Sequence, residues 1–239
     1  MCFMHAESIP ARTESTTPLS EQAFLRLRRD LLCGELPPDT RLKLDELQTR
    51  YGLSSSPLRE ALSRLAQEGL VRSDERRGFR AAPLSGTDLA ELTALRLLID
   101  PPALADAIAR GDDAWEAAIV AAYHRLERLE SRLPEGPVVL DDDWSALHRT
   151  FHASLLAACG SERQRRLSAS LFDQAERYRR VAARHRRQPR LKGLEHRRLM
   201  EAALARDAAL ACERLAAHIR STERNVEAAL LALAAPRAR

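Results

Sequence analysis

Aromatic residues are scarce in this chain, 4% of 239 positions, and Val and Ile are few beside Ala, Leu and Arg. Sheet-rich folds draw on β-branched and aromatic side chains, so the shortage argues against an all-β architecture. The abundant residues are good helix formers, and they predict a mostly α protein. No apolar run approaches the roughly 18 residues of a membrane-crossing helix. The N-terminus also lacks a basic stretch followed by an apolar one, as a secretion signal would need; the expected partners include no membrane, and the expected location is cytoplasmic. The four cysteines (Cys2, Cys33, Cys159, Cys212) are scattered, with no C-x-x-C pair. That argues against a zinc ribbon or redox dithiol and suits thiols in a reducing compartment.

A one-signed charge distribution is missing too. The net charge is only +4. Residues 1–83 carry 13 Lys/Arg against 12 Asp/Glu, whereas residues 160–200 carry 13 against 4. Bulk charge permits a polyanionic partner without demanding one, so any case for nucleic acid has to rest on local placement.

Residues 1–18 are rich in Ser, Thr, Pro and charge, without periodicity, and read as a disordered leader. Ser20 is the expected cap of a first helix with Phe24, Leu27, Leu31 and Leu32 on one stripe, closed by Gly34 and Pro37-Pro38. A second short helix runs from Leu44 to Tyr51. Ser54-Ser55-Ser56-Pro57 opens a third, with capping serines and a proline in the first turn. Leu58, Ala61, Leu62 and Leu65 give that helix its apolar face. Leu70-Val71, a charged tip 74–78 and Phe79–Ala82 predict a two-stranded hairpin.

Three short helices and a hairpin within residues 19–83 make a winged helix-turn-helix, whose third helix enters the major groove of duplex DNA. Ser55, Ser56, Arg59 and Ser63 occupy the polar face of that helix. Arginine can fork onto guanine, and serine can meet phosphate or base edges. Lys43, Arg50, Arg64, Arg72, Arg76, Arg77 and Arg80 surround the face and supply phosphate contacts. A plain helical hairpin with a solvated charged face is the bland reading; the capped third helix and the Arg-Arg-Gly tip speak against it.

Residues 84–86 form the linker, and 87–233 read as an all-α antiparallel bundle of about six helices, with 234–239 as a tail. Helix breaks are expected at Pro101-Pro102 (a kink or restart), Gly111-Asp112, residues 134–137, Gly160-Ser161, Gln188-Pro189 and Arg206-Asp207. His148 and His152 are four apart and share a helical face. A turn at Arg206-Asp207 places His196 about 10 residues before it and His218 about 11 after, at nearly one height in an antiparallel pair. Four converging imidazoles would hold a divalent ion such as Zn, Ni or Mn. A His-x3-His pair on its own is more often filler than ligand.

Several runs resemble a known family. Gly34-Glu-Leu-Pro-Pro-Asp-Thr-Arg-Leu, then Ser56-Pro-Leu-Arg-Glu-Ala-Leu62, Glu68-Gly-Leu-Val71 and Arg77-Gly-Phe79 are similar to the GntR family of bacterial repressors. The resemblance implies a homodimer on double-stranded operator DNA, Arg59 reading guanine with Ser54, Ser55 and Ser56 beside it, and Gly78 at a wing tip in the minor groove. Ser55 stands where the family usually carries a second base-reading arginine, and Asp45 where an arginine often meets phosphate. Both departures would weaken or redirect operator recognition.

Leu147-His-Arg-Thr-Phe-His152 resembles the Asp-x-x-Phe-His segment of the FadR-type effector domain called FCD. Glu195-His196 and His218 fall at that domain's later metal positions. The resemblance implies Asp plus three His around a metal beside an effector pocket; here His148 replaces the Asp, which favours softer metals and anionic effectors. Arg96 matches an arginine of the family's first effector-domain helix. It reads either as a clamp for a carboxylate or as a helix-surface residue paired with Asp100. Ser221, Thr222 and Asn225 share the His218 face as further pocket candidates. The arginine run from Arg177 to Arg190 reads as a solvated helix end, with a contact to DNA backbone or an acidic partner as the sharper option.

Together these features predict a ligand-responsive transcription factor, a repressor that binds a small organic acid. The rival is a metal-dependent enzyme on a helical bundle with an accessory DNA-binding head. It needs a general acid or base beside the metal; Asp141, Asp142 and Asp143 precede His148, but no His-Glu-x-x-His occurs. An architectural DNA binder without effector leaves the bundle's histidines unexplained.

Overall fold

The computed structural model describes residues 17–74, 78–133, 140–184 and 192–234. The head begins with helix α1 (Leu19–Cys33), whose Phe24, Leu27, Leu31 and Leu32 are all buried as their spacing predicts. Its N-cap is Pro18, with no side-chain cap bond, so the cap expected at Ser20 is two residues late. Helix α2 (Leu44–Tyr51) follows, then α3 (Ser55–Gln67), with Leu58, Ala61, Leu62 and Leu65 facing the core. Ser54 occupies the α3 N-cap position in extended backbone, but its hydroxyl makes no cap bond.

The wing has three strands, not two. Strand β2 (Val71–Asp74) pairs with β3 (Gly78–Ala81), and β1 (Arg41–Leu42) adds to the other side of β3, in the order β1-β3-β2. A two-residue strand has no periodicity to betray it; β1 exists because Arg41 and Leu42 meet Arg80 and Phe79. Gly78 opens β3 at φ 83°, a backbone region that costs glycine nothing. Residues 75–77, with Arg76 and Arg77, lie outside the described residues.

Ser85 caps the long helix α4 (Gly86–Arg110) by accepting from the Asp88 N–H. No restart occurs at Pro101-Pro102: α4 runs through both prolines. Each proline removes one helical bond, yet Ala103, Leu104, Ala107 and Ile108 just beyond are buried in the main core and hold the chain helical. The bundle continues with α5 (Asp113–Glu130), α6 (Asp142–Leu155), α7 (Glu162–Arg184), α8 (Lys192–Leu204) and α9 (Ala208–Ala234). Asp112 and Asp141 cap α5 and α6. Helix α4 packs on α7 and α9, α5 on α6 and α8, and α8 on α9.

The α8–α9 turn falls at Arg206-Asp207 as expected. Arg206 sits there at φ 57°, anchored by bonds from its guanidinium to the Ile108 and Gly111 carbonyls. Helix α7 also packs against α1, and it therefore touches both the head and the bundle.

Candidate functional site

The polar face of α3, expected to read DNA, is presented outward. Ser54, Ser55, Ser56 and Arg59 are exposed, and no described residue pairs with Arg59. Lys43 is exposed and pairs with Glu46 at 2.6 Å, while Asp45 lies beside it in solvent. Arg64 is half-exposed and already engaged: it bonds Glu21 at 2.7 Å and lies over the Phe24 ring. Gly78 is exposed at the start of β3.

The four histidines converge inside the bundle. His148 and His152 come from α6, His196 from α8 and His218 from α9, and all four are buried. One ring nitrogen of each lies within 4.8 Å of the others. His148 and His152 meet through their Nε2 atoms at 3.1 Å, and Trp144 stacks on His148 with ring centroids 4.4 Å apart. Two carboxylates stand behind the cluster. Glu130 meets His196 Nδ1 at 3.2 Å, and Glu195 meets His218 Nδ1 at 2.8 Å. A Nδ1–H donated outward leaves the Nε2 lone pair facing the centre, as metal-binding histidines arrange it. His196 Nε2 is buried without a hydrogen-bond partner. Burial holds the His152 ring well below its usual pKa, and the neighbouring rings of His218 and His196 push the same way.

A cavity of about 440 Å³ opens beside the cluster, with His152 in its wall. Arg96, Arg149, Arg165 and Arg166 line it against Asp100 and Glu162, and Phe172, Leu156 and Leu215 supply apolar surface. Four cations against two carboxylates leave an excess of two positive charges. Arg96 is not on the helix surface; it is buried, and it donates through Nε and Nη2 to Asp100 Oδ2 at 3.1 and 2.9 Å. Asp100 Oδ1 in turn accepts from Ser168 at 2.6 Å. Ser221 turns to Glu195, and Asn225 donates to the Ser221 carbonyl; neither lines the cavity. Thr222 is buried and bonds the His218 carbonyl at 3.1 Å. Arg149, Arg165, Ser168 and Phe172 were not singled out from the sequence, because only the α6–α7 packing brings them to one wall. The carboxylates behind the rings had one trace: Glu195 precedes His196 directly.

The arginine-rich segment corrects an expectation. Arg177, Arg179 and Arg180 are buried, not solvated. Glu176 binds Arg179 at 2.8 Å and Arg180 at 3.1 Å. Burial alone raises the Glu176 carboxyl, but Arg179, Ser145 and Arg180 outweigh it and hold the pKa below the usual range. Arg180 continues to Asp142 at 2.9 Å, Arg177 bonds the Ala82 carbonyl, and Arg184 bonds the Cys33 carbonyl at 2.8 Å. These cations join the bundle to the head. Residues 185–191, including Arg186, Arg187 and Arg190, lie outside the described residues. Asp141 is spent as a helix cap and Asp142 on Arg180, so neither serves the histidines.

A winged-helix reader on an all-helical domain with a buried histidine centre defines a class of DNA-binding regulators. The chain belongs to the gntR family of bacterial regulatory proteins, whose model matches residues 19–80, and carries an FCD domain over residues 91–221. It is 39% identical over 217 residues to the uncharacterized HTH-type transcriptional regulator BphR of Paraburkholderia xenovorans, covering 91% of this chain and 89% of that one. It is 36% identical over 208 residues to the HTH-type transcriptional repressor GlaR of Escherichia coli, covering 85% and 93%. A GntR-family regulator from Pseudomonas syringae has a similar structure, with TM-score 0.51 and 27% identity over 90% of this chain and 87% of that one. McbR/YncC of E. coli shares the fold at TM-score 0.71 and 18% identity, over 91% and 100% of the chains. The family, BphR, GlaR and the Pseudomonas syringae protein are transcriptional regulators, so the protein is a regulator and not an enzyme. No described helix is long and apolar enough to cross a membrane.

Proposed function

We propose that the protein is a homodimeric repressor whose DNA binding responds to a small organic acid held in the cavity beside a histidine-bound divalent metal. The observation that carries this reading is the shared wall: His152 belongs to both the imidazole cluster and the arginine-lined cavity. The donor set fits a metal. Four imidazoles with Nδ1 atoms of two held by carboxylates, and an unbonded buried Nε2 on His196, suit Zn, Ni or Mn. Such an ion would supply Lewis-acid attraction for a carboxylate. Neutral imidazoles cancel none of its charge, and Arg96 and Arg149 add to the pull on an anion.

The DNA contacts proposed for the head are Lys43, Ser54, Ser55, Ser56, Arg59, Arg64, Arg76, Arg77 and Gly78, with Arg59 as the base reader. Dimerisation is supported by how helix-turn-helix proteins read two half-sites, and repression by the printed name of the GlaR relative. Arg59→Ala is expected to weaken binding to a duplex selected by the full-length protein about tenfold or more, the worth of a bidentate base contact. Unchanged affinity would remove Arg59 from that role. Elemental analysis of tag-free protein tests the centre: His152→Ala and His196→Ala should lose the metal, and full metal content in both would place it elsewhere. A thermal-shift screen of organic acids tests the effector, since a ligand at 100 times its Kd adds about 2.7 kcal/mol. Absence of any stabilisation would sink the organic-acid reading.

A further inference from the structure

Asp173, on α7, is shared by two arginines from different domains. Arg149, in the cavity wall, donates through Nε to Oδ1 at 2.7 Å and through Nη2 to Oδ2 at 3.0 Å. Arg28, on α1 of the head, reaches the same Oδ2 at 2.8 Å. Arg28 Nε also meets Glu68 at 3.3 Å, and Glu68 is the C-cap of the reading helix α3. Four alternating charges therefore run from the cavity wall to the end of α3. The neighbouring residue Gln174 touches the same place: a Cβ on Gly69 would sit 3.3 Å from its side-chain oxygen.

The other cavity arginines make no such link among the described residues. Arg96 is spent on Asp100, Arg166 on Glu162, and Arg165 on the Cys159 carbonyl. Arg149 also feels the far end of the line: its pKa is raised chiefly by the Asp173 hydrogen bond, and Glu68 adds to the rise.

A carboxylate oxygen shared by two cations holds each less firmly than it would hold one, because the cations repel each other. An anion in the cavity offers Arg149 a second partner and draws it off Asp173. Asp173 is then left to Arg28 alone. We propose that Arg149 is the residue through which occupancy of the cavity reaches the reading helix, by competing with Arg28 for Asp173. Coupling between two sites requires contacts that differ between two states, and the Asp173 partnership is such a contact. The biological meaning rests on the cavity as an anion site; the juxtaposition of the four charges does not.

Hydrogen exchange on the full-length, ligand-free protein tests the link, read at the amides of Glu68, Gly69 and Leu70 that close α3. Arg149→Gln mimics withdrawal and should slow exchange there roughly twofold to fivefold, the range for a partly exposed ion pair. Arg149→Lys, which keeps the charge, should exchange like the parent. In an Arg28→Gln or Glu68→Gln background, Arg149→Gln should have no further effect. Unchanged or faster exchange in Arg149→Gln, or equal slowing with Arg28 removed, overturns the proposal. A cavity that binds no anion would leave this cycle intact, and a failed cycle would leave the cavity reading standing.

Discussion

The two domains bury opposite kinds of residue. Among the described residues of the head, the buried interior is apolar save for Asp30, whereas the bundle buries four histidines, four arginines, Glu176 and Asp100. The head therefore keeps its chemistry on the outside, on the face of α3, and its core exists to hold that face. The bundle places its chemistry inside, where each polar group must be matched because an unpaired buried charge is costly. A head built this way tolerates surface change and fails by cavity formation. A bundle built this way fails when one partner of a polar set is removed.

The sharpest way to break that distinction is to remove one partner from the bundle. Glu176→Ala strips buried Arg179 of its carboxylate partner and leaves buried Arg180 with Asp142 alone. It should cost about 3–5 kcal/mol in urea unfolding, as for other broken buried pairs. A loss below about 1 kcal/mol would mean that water or neighbouring groups already neutralise these arginines. The matching test in the head is apolar. Leu62 is fully buried in α3, and Leu62→Ala should cost about 2–5 kcal/mol by leaving a cavity. A loss of that size with the reading face intact would show that the head core acts as scaffold alone.

How far this contrast was legible in the sequence follows from the same physics. Head helices announce themselves, because a stripe such as Phe24, Leu27 and Leu31 is a local pattern with a one-sided environment. The histidine centre was legible in part: His148 and His152 share a face by spacing, and the Arg206-Asp207 turn brought His196 and His218 level. The buried arginines were not. Arg177, Arg179 and Arg180 look like a solvated run because their partners, Ala82, Asp142 and Glu176, are brought to them by tertiary packing. A helix restart at Pro101-Pro102 fails for the same reason, since burial beyond the prolines outweighs the local rule. Strand β1 and the place of Arg149 in the cavity wall also depend on distant residues, and no spacing along the chain encodes them.

The one buried charged group among the described residues of the head, Asp30, is the place to sharpen the comparison at smaller magnitude. Tyr51 donates to Asp30 at 2.8 Å, and Arg50 reaches the same carboxylate at 2.8 Å. Burial first, then the Asp30 bond, pushes the Tyr51 hydroxyl well above its ordinary pKa, so it stays a donor throughout the physiological range. Tyr51→Phe should cost about 1.5 kcal/mol, the lower end for a bond to a charged group, because Arg50 remains. A cost near that of Leu62→Ala would make Asp30 as demanding as any polar set in the bundle, and the contrast would narrow.

The smallest expected effect separates the domains by pH. In metal-free protein, burial keeps His152 neutral to a pH well below 6.5, whereas in the unfolded chain it titrates near 6.5. Above that value neither state binds the proton, and the stability contribution is fully present. As pH falls through 6.5, the unfolded state takes up a proton that the folded state refuses. Stability then drops by up to about 1.4 kcal/mol per pH unit for this one group. Urea unfolding in EDTA at pH 7.5 and pH 5.5 should show about 1 kcal/mol less loss in His152→Gln than in the parent. The difference should appear in the transition that reports the bundle through Trp115 and Trp144, since the described head contains neither tryptophan nor histidine. Equal losses in parent and variant would mean that His152 accepts a proton in place, and that the centre is already wet enough to hold charge without a metal.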